Sequence, residues 1–498
     1  MTVKPRQGIG CPPPGADLAA AVGMTNSGMT NRIRHNSAPI TRRTALTAIA
    51  QTTASGIVAS ALASTVAAAA PRTSRATTGP SLTASLQARI DAAAPLGQPV
   101  VLPPGTTVTR PLTLRTGTIV TGHGPSTRLL FTGGGPALIA NDAHGLRIVN
   151  LTIDGNNRPL FAGQQGDTAN ALLSFTRCDG LALDSVTIAN ASGNGVNLAH
   201  CTGRIDRCTI AHILDAGLFA LDSRLSITGN TVEACGNNGI LIWRSAIAED
   251  CSDITGNRIA NIRADGGGTG QNGNGINVFR AGGVRVQNNT ITDCAYTGVR
   301  ANAASNVLIS ANTCLRLGEV ALYAEHALDD PPNVDTSPGF QGAVISNNIV
   351  DRAATGISVT NFSAGGRLAV IQGNLIRNLF RRDREPVDQR GHGICVEADA
   401  TVTGNTIEGA PTAGIVVGWG RHMRDVAITG NLVRASRSGV LISSDPAAQG
   451  RVLIANNIIS SATDGAIRAH DHGRAFGPDL AREPASTGRV SVSGNVVG

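Results

Sequence analysis

The chain has 498 residues, of which 60 are glycine and only 3% are aromatic, and its formal net charge is +7. The positive excess is concentrated in residues 1–70, which hold six basic side chains and one acidic side chain, and Lys4 is the only lysine of the chain. The remainder is nearly neutral and lacks the basic footprint of a nucleic-acid-binding protein, so we expect no nucleic-acid partner.

The N-terminal segment, residues 1–70, has the pattern of an export signal. Arg42 and Arg43 precede a weakly apolar stretch from Ala48 to Ala70, and Pro71 follows it. A basic pair, a mild apolar run and a small-residue exit are typical of a cleavable signal, and the adjacent arginines resemble the twin-arginine signal. The resemblance implies that the twin-arginine export machinery recognises Arg42 and Arg43, and that the mature chain is periplasmic or extracellular.

The same segment carries two further expectations. Its apolar stretch consists mostly of Ala, Ser and Thr, which is too weak for a membrane anchor, so we expect no membrane span in the mature chain. The stretch before the arginine pair is long for such a signal, which makes Met24 or Met29 a candidate true start. The alternative is a disordered, alanine-rich tail that happens to contain two arginines.

Residues 71–145 are predicted to form an N-terminal cap and irregular first coils. Leu82, Leu86 and Ile90 recur at every fourth position, which predicts a short amphipathic helix over residues 81–94. A helix followed by the Val-Val-Leu-Pro-Pro-Gly turn of residues 100–105 resembles the beginning of right-handed parallel β-helices of the pectin-lyase-like superfamily. The resemblance implies that the helix covers the open first coil, whose strand edges would otherwise face water.

Residues 146–498 carry a repeat of short β-strands joined by polar corners. An asparagine recurs three residues after a β-branched position at spacings of about 22 to 27 residues, with occasional additions, as stacked coils with inserted loops produce. We expect the stacked side chains to hydrogen-bond one another and the corner backbone. The asparagines in this register are Asn230, Asn257, Asn289, Asn312, Asn348, Asn374, Asn405, Asn431, Asn457 and Asn495. The predicted fold class is all-β, a right-handed parallel β-helix (solenoid) of about 13 coils with an N-terminal capping helix.

A glycine precedes the next strand of most coils, and we expect it to supply a positive φ at the corner. These glycines are Gly195, Gly217, Gly239, Gly275, Gly298, Gly356, Gly393, Gly414, Gly439 and Gly465, with Glu319 in the corresponding place of one coil. Three insertions interrupt the rhythm, at residues 261–274, 325–341 and 378–391.

The arginine pair, the capping helix and the Asn and Gly repeats together resemble a family of twin-arginine-translocated repeat proteins that has no established activity. The resemblance implies the fold and the localisation. It carries over no catalytic residues.

The nine cysteines, eight of which follow residue 70, form no Cys-x-x-Cys pair and no metal-ligand spacing. We expect them to fill inward positions as small apolar groups, with one or two disulfides as the alternative. His470, Asp471 and His472 have the side-chain types of metal ligands, but no further group can be placed with them. No metal and no cofactor is therefore predicted.

Strand alternation identifies outward positions on the strand that follows each glycine. Ring faces stack on the C–H surfaces of sugars, and arginine pairs with carboxylates or hydroxyls, so aromatic and basic side chains at these positions predict a groove for a polysaccharide or other glycan. The alternative is that the inserted loops cover the aromatic rings as a second, small core. The candidate substrate-binding residues are Phe219, Trp243, Arg244, Phe279, Arg300 and Tyr323.

Four charged residues near this row are candidates for catalysis: Glu325, His326, Asp222 and Arg280. Their side chains could supply an acid, a base and charge stabilisation, although no spacing among them requires it, and solvated surface charges are the alternative. Two functions fit the pattern. The chain is either a lyase or hydrolase that acts on an acidic polysaccharide, or a non-catalytic structural or glycan-binding envelope protein, and the fold alone does not separate them.

Overall fold

The computed structural model describes residues 80–160, 170–267, 270–325, 341–360, 367–382, 391–448, 450–483 and 488–498. The predicted export signal, with Arg42, Arg43 and the two candidate start methionines, lies outside the described residues, as do His326 and most of the insertion at 325–341. Within the described residues, no helix is both long enough and apolar enough to cross a membrane.

An α-helix from Pro80 to Ala93 precedes the first strands. Leu86 and Ile90, two of the predicted apolar positions, are buried in the core. Gln87 donates a hydrogen bond to the carbonyl oxygen of Thr113 (2.9 Å) and accepts one from the Thr113 amide (2.9 Å), so it pairs with a strand edge as a neighbouring strand would. The predicted capping helix is therefore confirmed.

The strands form three parallel faces that wind around one apolar core. The strands of the first face are Pro99–Val101, Ile119–Thr121, Arg147–Val149, Leu181–Asp184, Thr202–Asp206, Arg224–Thr228, Asp253–Thr255, Arg285–Gln287, Val307–Ser310, Gln341–Ser346, Arg367–Gln372, Ala398–Thr403, Arg424–Thr429, Val452–Ala455 and Val490–Ser493. Those of the second face are Gly105–Thr109, Thr127–Phe131, Thr152–Asp154, Thr187–Ala191, Thr209–Ile213, Thr231–Cys235, Arg258–Ile262, Thr290–Cys294, Thr313–Leu315, Ile349–Asp351, Leu375–Arg377, Thr406–Glu408 and Val496–Val497.

The third face carries the candidate site. Its strands are Leu112–Thr113, Leu138–Asn141, Ala171–Thr176, Asn194–Ala199, Ala216–Leu221, Asn238–Glu249, Asn274–Gly282, Val299–Asn302, Val320–Glu325, Thr355–Thr360, His392–Val396 and Ala413–Val417. Two long strands, Leu432–Ser443 and Ile458–Asp471, run through both the second and the third face, and Arg474–Phe476 pairs antiparallel with the second of them. Short 3-10 turns lie at Ala94–Leu96, Gly124–Ser126 and Gly420–His422.

The number of coils agrees with the prediction of about 13. The first face has 15 strands among the described residues, and all but two of them begin at or after Arg147. Six of the eight cysteines among the described residues fill inward positions as expected, and Cys251 is instead disulfide-bonded. The six are buried free thiols of the main core: Cys178, Cys201, Cys208, Cys235, Cys294 and Cys314. Cys395 is also a buried free thiol, but it belongs to a small second cluster outside that core.

The predicted asparagine ladder is confirmed. Asn257 accepts hydrogen bonds at Oδ1 from the backbone amide of Asn230 (2.9 Å) and from its Nδ2 (2.9 Å). The Nδ2 of Asn257 in turn donates to the carbonyl oxygen of Ile227 (2.9 Å). The same pattern is repeated to Asn495, so the corner groups that no strand partner reaches are satisfied by stacked side chains.

The predicted glycine column is present, but the expected reason for it is wrong. Gly239 and its equivalents, apart from Gly465, do not adopt a positive φ. A Cβ on Gly239 would lie 2.4 Å from the carbonyl oxygen of Gly275 on the next coil, so the column favours glycine because a side chain at this position would push adjacent coils apart. The left-handed backbone lies instead just before the ladder asparagines, as at Gly256 (φ 68°) and Asn288 (φ 54°).

The register of the third face corrects two members of this column. Ala321, not Glu319, lies in the column, and Ala466, not Gly465, lies in it near the C-terminal end. Glu319 lies two positions earlier in the chain and is buried. The corrected register places Glu325 on an outward position of the third face.

Candidate functional site

Two columns of outward side chains run across five neighbouring strands of the third face. They are separated by the inward apolar positions, as strand alternation requires. The first column is Phe219, Leu241, Asn277, Arg300 and Tyr323, and the second is Leu221, Trp243, Phe279, Asn302 and Glu325. The register thus brings the predicted binding residues onto one surface.

Three of the aromatic side chains touch across successive coils, and we call Phe219, Trp243 and Phe279 the aromatic row. The ring centroids of Phe219 and Trp243 are 5.4 Å apart and their planes meet at 80°. Those of Trp243 and Phe279 are also 5.4 Å apart, at 60°. The Trp243 Nε1 donates to Asn277 Oδ1 at 3.3 Å, which fixes the indole orientation. All three rings are half-buried, so each keeps an accessible surface.

Arg280 lies at the end of the aromatic row. Its guanidinium carbon is 4.8 Å from the centre of the Phe279 ring, and its Nη1 donates to the carbonyl oxygen of Ser245 at 3.1 Å. The side chain is half-buried. A guanidinium held against a ring in this way presents N–H groups beside an aromatic surface.

Arg244 is oriented towards the protein. Its Nη1 lies 3.2 Å from Oδ2 of Asp250, whose side chain is fully buried, and its Nε lies 3.9 Å from Oδ1 of Asp222. Burial raises the pKa of the Asp250 carboxyl, and the hydrogen bond from Ser252 and the charge of Arg244 partly offset this effect. Asp222 also accepts a hydrogen bond from the backbone amide of Ser245 at 3.0 Å. These contacts give Arg244 and Asp222 a role in holding the corner.

Arg300, Asn302, Tyr323 and Glu325 form a second group, the Arg300 cluster. The guanidinium of Arg300 pairs with the carboxylate of Glu325, and Asn302 Nδ2 donates to the same carboxylate oxygen at 3.0 Å. The Arg300 guanidinium carbon also lies 5.2 Å from the centre of the Tyr323 ring. Tyr323 and Glu325 are buried, so this cluster is largely enclosed.

The described part of the insertion at 261–274 contacts this region. The carbonyl oxygen of Gly270 accepts a hydrogen bond from Asn277 Nδ2 at 3.3 Å, and a Cβ on Gly270 would lie 2.9 Å from Arg300 Nη1. The insertion therefore packs beside the Arg300 cluster, while the aromatic row stays half-buried. The insertion at 325–341 lies almost entirely outside the described residues.

The two candidate carboxylates of the described chain are far apart. Asp222 follows the strand Ala216–Leu221, and Glu325 ends the strand Val320–Glu325, four strand spacings further on. At about 4.8 Å per spacing, these positions are roughly 19 Å apart. Paired carboxylates that hydrolyse one glycosidic bond lie about 5 to 9.5 Å apart, so these two cannot act on the same bond. A catalytic role for Glu325, Arg280 or Asp222 stays a prediction, and His326 lies outside the described residues.

A further aromatic group was not identified from the sequence. Trp419 packs against His472, with ring centroids 5.6 Å apart at 90°, and against His470, with centroids 6.0 Å apart at 42°. Trp419 follows Gly414 by five positions, the spacing that separates Arg280 from Gly275. This shared spacing is the feature of the sequence that places Trp419 at the same outward edge as Arg280. Among the described residues, no group of three His, Cys, Asp or Glu side chains is arranged to hold a metal ion.

Comparison with curated proteins finds no match. Among solved structures, the N-terminal fragment of bacteriophage phi29 gene product 12 is similar, with a TM-score of 0.51 and 16% identity over 82% of this chain and 68% of that chain. The A-module of Azotobacter vinelandii mannuronan C-5 epimerase AlgE6 gives a TM-score of 0.46 and 18% identity over 66% of this chain and 95% of that chain. The periplasmic alginate epimerase AlgG gives 0.40 and 15% over 80% and 84%. At such identities, similarity indicates the fold alone.

The family model described as the right-handed beta helix region matches residues 171–252 and 194–431. Together these matches span more than half of the chain. They coincide with the coils whose three parallel faces and asparagine ladder are described above. The chain therefore belongs to the right-handed β-helix family.

Proposed function

We propose that this chain binds an acidic polysaccharide along the aromatic row of its third face, in the cell envelope after twin-arginine export. The observation that carries the proposal is the contact of Phe219, Trp243 and Phe279 across three successive coils, with Arg280 against the last ring. Half-buried rings held in fixed orientations offer surfaces for the C–H faces of sugars. The guanidinium of Arg280 is suited to pair with a sugar carboxylate.

The contacts of the other candidate residues, Arg244, Arg300 and Glu325, indicate structural roles rather than ligand binding. Arg244 pairs with the buried Asp250 and Arg300 with the buried Glu325, so both cations have buried carboxylate partners in the protein. Glu325 is engaged by Arg300 and Asn302, so its carboxylate already has partners within the protein. We therefore favour binding of the polysaccharide over its cleavage. The Arg300 cluster then has a structural role beside the aromatic row.

Affinity electrophoresis tests the proposal. The wild-type protein and the variants Trp243→Ala and Arg280→Ala migrate through gels that contain alginate, polygalacturonate or the neutral polymer dextran. We expect the wild type to be retarded by the uronate polymers alone. Each variant should show a Kd raised about tenfold, the effect of losing one contact worth about 1.4 kcal/mol.

Matched controls remove surface groups of the same type from other parts of the solenoid. Phe380→Ala deletes a partly exposed ring and Arg285→Ala deletes an exposed guanidinium of the first face, and both should migrate as the wild type does. Unchanged mobility of the wild type in every uronate gel would rule the proposal out. Equal retardation of Trp243→Ala and the wild type would move the site elsewhere.

The same polymers test the enzymatic alternative. Cleavage by a lyase or by a hydrolase would create new reducing ends, and a lyase would in addition create an unsaturated product with ultraviolet absorbance. We expect neither product from the wild type. If product forms, equal yields from Glu325→Gln and Arg280→Ala would remove both residues from the mechanism.

A further inference from the structure

We propose that Trp419, with Asp445 and His472, forms a second saccharide-binding site on the same edge of the third face as Arg280, which ends the aromatic row. This inference rests on the proposed function, because it assigns the same class of ligand, a uronate-containing chain. We call these three residues the Trp419 site.

The register places the members of the site on successive coils. Val417 pairs with Ile442, which pairs with Ala469. Trp419 and Gly420 follow the first of these strands, Ser444 and Asp445 follow the second, and Asp471 and His472 lie at the end of the third, so these residues form a stack of neighbouring coils at one edge of the face. Two hydrogen bonds hold the stack, from Ser443 Oγ to the carbonyl oxygen of Gly420 (2.9 Å) and from the Ser444 amide to the carbonyl oxygen of His470 (3.1 Å).

The site presents hydrogen-bonding groups beside an indole. His472 Nδ1 lies 2.6 Å from Asp471 Oδ1, so the carboxylate fixes the imidazole orientation and leaves Nε2 for a ligand. A Cβ on Gly420 would lie 3.1 Å from His472 Nε2 and 3.5 Å from Asp445 Oδ2, so both atoms border the space above this glycine. A nitrogen and a carboxylate oxygen next to a half-buried indole match a sugar ring with hydroxyl groups.

A hollow of about 640 Å³ adjoins Asp445, one of the three residues of the site. Asp445 and Asp471 line it together with Arg474 and Phe476. The Phe476 side chain is exposed, and Arg474 is exposed as well. The hollow thus holds an exposed guanidinium and an exposed ring, the same side-chain types as Arg280 and Phe279, and we assign an acidic saccharide because the guanidinium can pair with a sugar carboxylate.

The two sites lie along one edge of the solenoid. Arg280 and Trp419 both follow the close-contact glycine of their coils by five positions. Five strand spacings separate the strand Asn274–Gly282 from the strand Ala413–Val417, which is roughly 24 Å at 4.8 Å per spacing. A polysaccharide chain that contacts both sites must therefore span roughly 24 Å, and its affinity would gain from the linkage.

The chain contains only two tryptophans, Trp243 and Trp419, so each site has its own fluorescent reporter. Trp243→Phe leaves emission from Trp419 alone, and Trp419→Phe leaves emission from Trp243 alone. Both variants keep an aromatic ring, and circular dichroism verifies that they fold. Each is titrated with oligogalacturonates and oligomannuronates of two, four and ten residues, and maltodecaose serves as the neutral control.

We expect both reporters to respond to the acidic decamers and not to maltodecaose. In addition, Trp419→Ala should raise the Kd for the decamers about tenfold, while its Kd for the dimers at Trp243 stays within twofold of the wild type. A response from Trp243 without one from Trp419 would overturn the second site and leave the proposed function standing. A response from Trp419 alone would support this site and contradict binding at the aromatic row. Silence of both reporters would overturn both proposals.

Discussion

Arg300 and Glu325 form a largely buried ion pair across neighbouring coils of the third face, with Tyr323 packed against the guanidinium. The exposed fractions of the two side chains are only 14% and 6%. Removing one partner from such a pair leaves a buried charge without compensation. The pair therefore has a structural consequence that is separate from any ligand.

We expect Glu325→Ala to lower the free energy of unfolding by about 3 to 5 kcal/mol because Arg300 loses its partner in a poorly solvated position. The control is Asp253→Ala, which breaks the solvent-exposed pair of Asp253 with Arg285 and should cost at most about 1 kcal/mol. Thermal unfolding followed by circular dichroism measures both variants. A Glu325→Ala protein as stable as Asp253→Ala would contradict a buried ion pair.

The asparagine ladder predicts that the same Asn→Ala substitution lowers the free energy of unfolding more in the interior of the ladder than at its end. Asn289 receives two hydrogen bonds from Asn257 and donates to Asn312 and to the carbonyl oxygen of Ile254, all within the buried interior. Asn289→Ala leaves several of these groups unsatisfied, and we expect a loss of about 3 kcal/mol. Asn495→Ala, at the half-buried end of the ladder, should lose about 1 kcal/mol.

Urea unfolding of the two asparagine variants decides the matter. A similar loss in both would indicate that water satisfies the interior groups when the side chain is removed. Asn289→Asp gives a further reading, since the carboxylate keeps the acceptor oxygen but lacks the Nδ2 donor. Its stability should be lower than that of Asn289→Ala, because the carboxylate would be a buried charge that faces the carbonyl oxygen of Ile254 and the Oδ1 of Asn312.

Substitutions at two glycines distinguish the cost of close packing between coils from the cost of a left-handed backbone. A Cβ on Gly393 would lie 2.3 Å from the carbonyl oxygen of Gly414, although the φ of Gly393 is not positive. Gly256 has a φ of 68° with no atom near its missing side chain. We expect Gly256→Ala to cost about 1 to 2 kcal/mol from the left-handed backbone, and Gly393→Ala to cost about 3 kcal/mol because adjacent coils must separate. Thermal midpoints in the reverse order would refute the close-packing explanation.

The fold could be predicted from the sequence because one interaction recurs in every coil. Asn257 and its equivalents satisfy the same corner groups each time, so the periodicity identifies them without coordinates. The distance between neighbouring coils does not affect the spacing of residues in the sequence. The sequence therefore predicts a positive φ for Gly239 and does not reveal its close contact with the next coil. Glu319 was misplaced because Ala321 gives the same alternation of apolar residues.

The candidate site could be predicted only in part. The register brought Phe219, Trp243 and Phe279 together because they lie on strands, where alternation fixes their direction. The partners of Arg244 depend on a bulged extension of its strand, which no period describes. Trp419 lies beyond a strand end, and its contact with His472 depends on the hairpin that follows Ile458–Asp471.

His470 predicts how the stability of the C-terminal coils depends on pH. Burial lowers the pKa of His470 to about 4, against an ordinary value of 6.5, and the backbone near Val417 offsets only part of this effect. Its Nδ1 accepts a hydrogen bond from the Gly473 amide at 3.0 Å, which protonation would remove. Between pH 6.5 and pH 4 the unfolded chain therefore binds a proton at this residue that the folded chain does not.

Stability should consequently be lost as the pH falls through this window. A difference of 2.5 between the two pKa values corresponds to about 3 kcal/mol at pH 4. Thermal unfolding at pH 7.5, 6.5, 5.5 and 4.5 measures the loss of stability in the wild type and in two variants. His470→Asn keeps a hydrogen-bond acceptor but cannot be protonated in this range. His212→Asn is the control, because His212 is exposed. We expect a flatter profile for His470→Asn and an unchanged slope for His212→Asn. Parallel slopes in the wild type and His470→Asn would show that other groups cause the acid sensitivity.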